Sequence, residues 1–152
     1  MKVREFCSPQ VVTAEPAMSL REAALLMRNK HVGALVVVEK KDGITKPVGI
    51  LTDRDIVVAA IAVPGARPEG IRVVDAMSTQ LALAREDEGV YEAVRCMSEH
   101  GVRRLPVVGP DGALTGMLTL DDVMRVLGTE LAQLAEALRW GRMHESGKRK
   151  PL

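Results

Sequence analysis

Apolar residues recur along this chain at two spacings, and the spacings alternate in the same order in each half. Residues 11–13 read as a short extended piece. Ser19-Leu20-Arg21-Glu22 then has the form of a capping box, in which the Ser oxygen takes a free helix amide while the Glu reaches back. Leu20, Ala23, Ala24 and Met27 share one face of the helix that follows, as do Val90, Ala93, Val94 and Met97 further on. Residues 34–38 and 105–108 are short β-branched runs, the mark of strands covered on both faces. Asp42-Gly43 and Asp111-Gly112 supply hairpin turns, because Gly tolerates positive φ. Residues 47–51 and 114–118 are the return strands, and a second helix starts after Thr52 and after Thr119.

The two halves are copies of one βαββα unit. Displaced by 70 positions, residues 3–38 align without a gap on 73–108 with 11 identities in 36 pairs. Unrelated pairing gives roughly two or three at ordinary composition. Past a turn three residues shorter in the second copy, Gly49-Ile50-Leu51-Thr52-Asp53-Arg54-Asp55 falls on Gly116-Met117-Leu118-Thr119-Leu120-Asp121-Asp122. The expected organisation is a first motif at 1–64, a linker at 65–72, a second motif at 73–127 and a C-terminal helix with a basic tail at 128–152. Leu127, Leu131, Leu134 and Leu138 are spaced four, three, four, which suits either a helix–helix seam or packing back onto the body of the protein. Lys148-Arg149-Lys150-Pro151-Leu152 reads as a solvated tail.

Composition narrows the function more by exclusion than by hint. Hydrophobic residues make up 47% of the 152, enough for a core, yet only Phe6, Tyr91 and Trp140 are aromatic. The core is therefore aliphatic, and stacking on single-stranded nucleic acid has little material. A formal charge of +1 exerts no general pull on nucleic acid or anionic membrane. The longest apolar run, residues 56–63, is too short to span a bilayer. Cys7 and Cys96 have no metal-motif spacing and read as small buried apolar residues; with no signal segment, a cytoplasmic location is expected.

The candidate chemistry lies in Thr52-x-x-Asp55 and Thr119-x-x-Asp122, where a strand hands over to a helix. Each is a capping box on one reading. On the other, the Asp accepts hydrogen bonds from both hydroxyls of a ribose, beside a helix N-terminus that favours phosphate. Gly49 and Gly116, just upstream, would let a ligand approach the backbone. Neither His31 nor His100 is expected to have a metal-ligand partner within its own helix end, and both read as helix termini; His144 falls in the tail. No phosphate-binding glycine loop or nucleophile elbow is present, so no catalytic or metal-binding residue is expected.

Gly49 to Ile56, His100 to Val108 and Ala76-Met77-Ser78 together resemble the signatures of the cystathionine-β-synthase (CBS) domain, here as a tandem pair. The resemblance covers residues 3 to 127. It implies an α+β fold of two pseudo-twofold-related βαββα motifs packed through their sheets. It also implies clefts for adenosine-type ligands (AMP, ADP, ATP, S-adenosylmethionine or NAD-like molecules) and a disc-shaped homodimer. Carried over by position, Val12, Val32, Thr52 and Asp55 form one nucleotide site; Ala82, Val102, Arg103, Arg104, Thr119 and Asp122 form the other. Arg103 and Arg104 suit phosphate, as guanidinium binds it bidentately; alternatively they are surface charges or inter-copy ion pairs. Their counterparts Gly33 and Ala34 carry no charge, so the sites are expected to differ, with phosphate in the first held from the other copy or a second subunit. The implied function is a stand-alone, non-catalytic sensor with no obligatory cofactor, a nucleotide as regulatory ligand, and a separate protein or its own oligomer as what it regulates. The alternative is an oligomerisation module that binds no nucleotide.

Overall fold

The computed structural model describes residues 1–148; the tail residues 149–152 lie outside it. The first copy runs β1 (Thr13–Ala14), α1 (Leu20–Lys30), β2 (Ala34–Lys41), β3 (Ile44–Thr52) and α2 (Asp53–Ile56), which continues as a π-helical turn over Val57–Ile61. A short α3 (Val73–Ala76) opens the second copy, followed by β4 (Ala84–Arg85), α4 (Val90–His100), β5 (Arg104–Val108), β6 (Leu114–Thr119) and α5 (Leu120–Lys148). The fold class is thus the expected α+β duplication. Each copy makes one three-stranded sheet, β1-β2-β3 and β4-β5-β6, whose first pair is parallel and second antiparallel.

Local chemistry explains the elements. The Ser19 hydroxyl accepts from the Glu22 amide at 3.1 Å while the Glu22 carboxylate accepts from the Ser19 amide at 2.8 Å, closing the expected box at the start of α1. Leu20, Ala23 and Met27 point inward, and Ala93 and Met97 repeat this on α4. The β2–β3 hairpin turns at Asp42 and Gly43 with φ of 53° and 78°, left-handed values that Asp and Gly tolerate best. The extended piece is displaced slightly from expectation: the β1 ladder pairs Thr13 with Val36 and Ala14 with Val37, leaving Val11 and Val12 just ahead of the strand.

The two cores do not follow chain order. Val3 and its neighbours Phe6 and Cys7 pack into the core of the second copy, with Ala84, Ala93, Leu105 and Leu118. Val73, with Ile71, Ala76 and Met77, packs into the core of the first, with Leu20, Ala23, Leu35 and Leu51. The crossing is fastened by matching backbone bonds: Val3 donates to the Glu88 carbonyl at 3.0 Å, Val73 to the Met18 carbonyl at 2.7 Å. A division at 1–64 and 73–127 therefore separates sequence repeats, not cores. Each opening segment then runs on along the opposite sheet, so that Ser8 bridges Met117 and Ser78 bridges Ile50.

Candidate functional site

Gly49 and Gly116 are required by that crossing and not by a ligand. A Cβ at Gly116 would stand 2.8 Å from the Ser8 carbonyl oxygen, and one at Gly49 would stand 2.9 Å from the Ser78 carbonyl oxygen. The backbone that approaches each glycine is thus the protein's own, which corrects the reading of these glycines as room for a bound molecule. Sequence alone signals the close approach but not what approaches.

Both Thr-x-x-Asp boxes form. Asp55 accepts from the Thr52 amide at 2.8 Å and its own amide donates to the Thr52 hydroxyl at 3.2 Å. In the second copy the Asp122 amide donates to the Thr119 hydroxyl at 3.2 Å, and Asp122 Oδ2 accepts from both the Thr119 amide, at 3.0 Å, and the Thr119 hydroxyl, at 2.6 Å. Arg125 donates to its other oxygen at 2.8 Å. Partial burial pushes the Asp122 carboxyl up, but the Thr119 bonds and the Arg125 guanidinium together outweigh it and hold the group below its ordinary value. The residue in Arg125's place in the first copy is Val58, and Asp55 has no ion-pair partner among the described residues.

A cavity of about 290 Å³ opens between the copies. Val12 and Val32 wall it from the first copy. They face Thr119, Met117 and Arg104 of the second copy, while Thr52 and Asp55 are not among its lining residues. Val12 and Val32 thus line one cavity with Thr119 and Arg104, joined through Thr119 to Asp122, whereas chain order had grouped them with Thr52 and Asp55. The cause is the packing of β3 against β6, which turns the end of each return strand toward the other copy. Ala34 and Arg104, equivalent positions in the repeat, both line this cavity, so it lies at the seam.

The remaining expected residues fall elsewhere. Ala82 is buried in the second core and Val102 packs against it. Arg103 and Arg104 are both exposed, and neither joins an ion pair among the described residues, so inter-copy salt bridges do not account for them. Gln10 and His31 line the cavity without having been singled out as site residues. Gln10 had a signal, since it is one of the polar identities of the repeat; His31 had none beyond its helix-end position, where it caps α1 with φ 54°.

Cys7 and Cys96 are free and half-buried, and burial pushes both thiols up, which keeps them from being ready thiolates. Among the described residues no group of three His, Cys, Asp or Glu is placed to hold a metal, and no helix is long and apolar enough to cross a membrane.

Comparison with known proteins gives a consistent picture. The profile of the CBS domain matches residues 3–62 and again 73–129. An uncharacterized protein of Methanopyrus kandleri, MK0525, is 34% identical over 139 residues, covering 91% of this chain and 69% of its own. The CBS domain-containing protein YhcV of Bacillus subtilis is 36% identical over 121 residues, covering 80% of this chain and 81% of its own. Among solved structures, the CBS domain pair of MJ0100, in complex with 5′-methylthioadenosine and S-adenosyl-L-methionine, superposes with a TM-score of 0.70. It is 28% identical and covers 86% of this chain and 98% of that one.

Proposed function

This chain belongs to the CBS domain family, and from that premise we infer that it is a regulatory module binding an adenosine-containing nucleotide in the seam between its two copies. The observation that carries the reading is the cavity walled by Val12 and Val32 and closed by Thr119 and Arg104 from the opposite copy. Its volume, about 290 Å³, is near the lower end of small-molecule sites, which run from about 300 to 1,000 Å³. The two valines offer an apolar slot for a purine face. Thr119 and Asp122 offer the ribose its acceptors, and Arg104 offers phosphate or another anionic group its donors. The repeat operation carries Val12 to Ala82, Val32 to Val102 and Thr119 to Thr52. A second cleft of Ala82, Val102, Thr52 and Asp55, with Arg103 beside Val102, follows from it.

Such a site does no chemistry on its ligand. It acts by binding one arrangement of the paired copies better than another, which shifts their populations and is read by a separate regulated protein. Because the cavity is built from both copies, occupancy couples them directly. The neighbour that holds methylthioadenosine and S-adenosylmethionine supports an adenosine ligand as the class.

Calorimetry and thermal shift against AMP, ADP, ATP, 5′-methylthioadenosine and S-adenosylmethionine test the reading. At least one ligand is expected to raise the melting temperature, and to go on raising it with the logarithm of its concentration above Kd. Arg104→Ala is expected to weaken phosphate-bearing ligands about tenfold or more while sparing adenosine. A flat panel at millimolar ligand would reject nucleotide binding in favour of a module that works by association alone.

A further inference from the structure

Helix α5 is 29 residues long, about 43 Å at 1.5 Å per residue, and only its first turns touch the body of the protein. Val123 is buried in the second core, whereas every residue from 127 to 144 is exposed. Packing of the leucine seam back onto the module is therefore ruled out. Met124, Leu127, Leu131, Leu134 and Leu138 follow one another at three, four, three and four residues, the spacing of a two-stranded coiled coil. All five are between 41% and 71% exposed. An isolated helix is marginal in water, and a contiguous apolar strip on one marks a contact surface. The family match ends at residue 129, so Leu131, Leu134 and Leu138 lie beyond what the domain itself calls for.

We propose that the seam is covered by α5 of a second copy of this chain, with the two helices antiparallel. The strip is too narrow for more than one partner helix, and Gly128, Ala135 and Ala137 flank it with small residues that permit close approach. Charge selects the direction. Residues 121–133 carry Asp121, Asp122 and Glu130 against Arg125, a net of −2; residues 134–148 carry Arg139, Arg142 and Lys148 against Glu136 and Glu145, a net of +1. Antiparallel helices set the acidic half on the basic half and oppose their dipoles, whereas parallel ones set like on like. Leu131 of one copy then meets Leu134 of the other, Leu127 meets Leu138, and Asp121 stands opposite Arg142. Five side chains per helix at roughly 100 Å² each bring together about 1,000 Å², and with the flanking residues this approaches the ~1,200 Å² of a specific interface. The contact is independent of the nucleotide cleft.

Two measurements test it. Light scattering on the intact chain is expected to give twice the 16.5 kDa chain mass, and Leu131→Glu with Leu134→Glu to weaken the dimer at least tenfold. In a Cys7→Ala, Cys96→Ala background, mixing Leu127→Cys chains with Leu138→Cys chains under oxidation is expected to yield a linked dimer that neither forms alone. A linked dimer from Leu127→Cys alone in equal yield would show parallel helices and overturn the proposal. So would the absence of any linked dimer, or a double-Glu variant that keeps the wild-type mass. Thermal shift with nucleotide on the double-Glu variant keeps this interface's failure distinct from failure of the cleft.

Discussion

The strand-to-helix corners of the two copies are built from the same Thr-x-x-Asp box, but their carboxylates are left in different states. A carboxylate offers about four acceptor positions; the observed bonds leave about three on Asp55 and about one on Asp122. The second copy's corner is bound up by its own helix, through a full turn of Thr119 contacts and the Arg125 guanidinium. In the first, Val58 takes the arginine's place and the helix gives way to a π turn within four residues. A duplication preserves the fold that both corners need and leaves each free to set its own electrostatics. On the proposed reading, Asp55 would by acceptors at rest be the readier ribose partner, even though Arg103 and Arg104 both belong to the second copy. On the same reading, a ribose at Asp122 would displace Arg125, whose side chain is mostly exposed and moves at little cost.

The largest test of the comparison concerns the cores. Leu51 and Leu118 are fully buried counterparts, and truncation of either to Ala is expected to cost about 2–5 kcal/mol in urea unfolding. Val3→Ala and Val73→Ala are expected to cost less, about 1–3 kcal/mol, and to act on the copy opposite to their own. Hydrogen exchange would show Val3→Ala loosening β5 and β6, and Val73→Ala loosening β2 and β3. Loss of protection in the mutated residue's own repeat would contradict the crossed packing.

Next in size is Gly116→Ala, which forces a Cβ against the Ser8 carbonyl and is expected to cost about 1–3 kcal/mol in the same unfolding assay. Gly49→Ala should match it. A difference between them above about 1 kcal/mol would mean that the two crossings are not equivalent.

The smallest effect lies at the corners themselves. Asp122 has its folded pKa lowered, so its contribution is complete above the ordinary Asp range and is lost as pH falls through the lower folded value. Asp122→Asn is therefore expected to flatten the loss of stability below about pH 4. Arg125→Ala is expected to cost only about 0.5 kcal/mol, as the pair is largely exposed on the arginine side. It should also tighten any ligand whose ribose binds Asp122, which calorimetry on the two proteins would register.

Much of this was legible from periodicity, because it is a local property. The capping box at Ser19, the helical faces of α1 and α4 and the hairpin at Asp42-Gly43 follow from spacing and turn chemistry within a dozen residues. What the spacing could not carry is how one copy meets the other. Val3 and Val73 are equally apolar in either core, and Thr52 and Thr119 are equally good caps whichever wall they face. The cleft's membership is decided by the packing of β3 on β6, a contact between segments about 70 residues apart with no pattern of its own. The leucine seam was visible as a spacing, but only exposure along α5 separates a free seam from an inward one.

The crossed opening segments also bear on how the chain becomes a protein. On a ribosome, the first copy emerges with a gap in its core that only Val73 and its neighbours can fill. The N-terminal turn meanwhile has no seat until β4 to β6 have been made. Each core is thus complete only when the opening segment of the other repeat is seated in it. The molecule is expected to assemble in one late, concerted event, governed by contacts distant in sequence and correspondingly slow for its size.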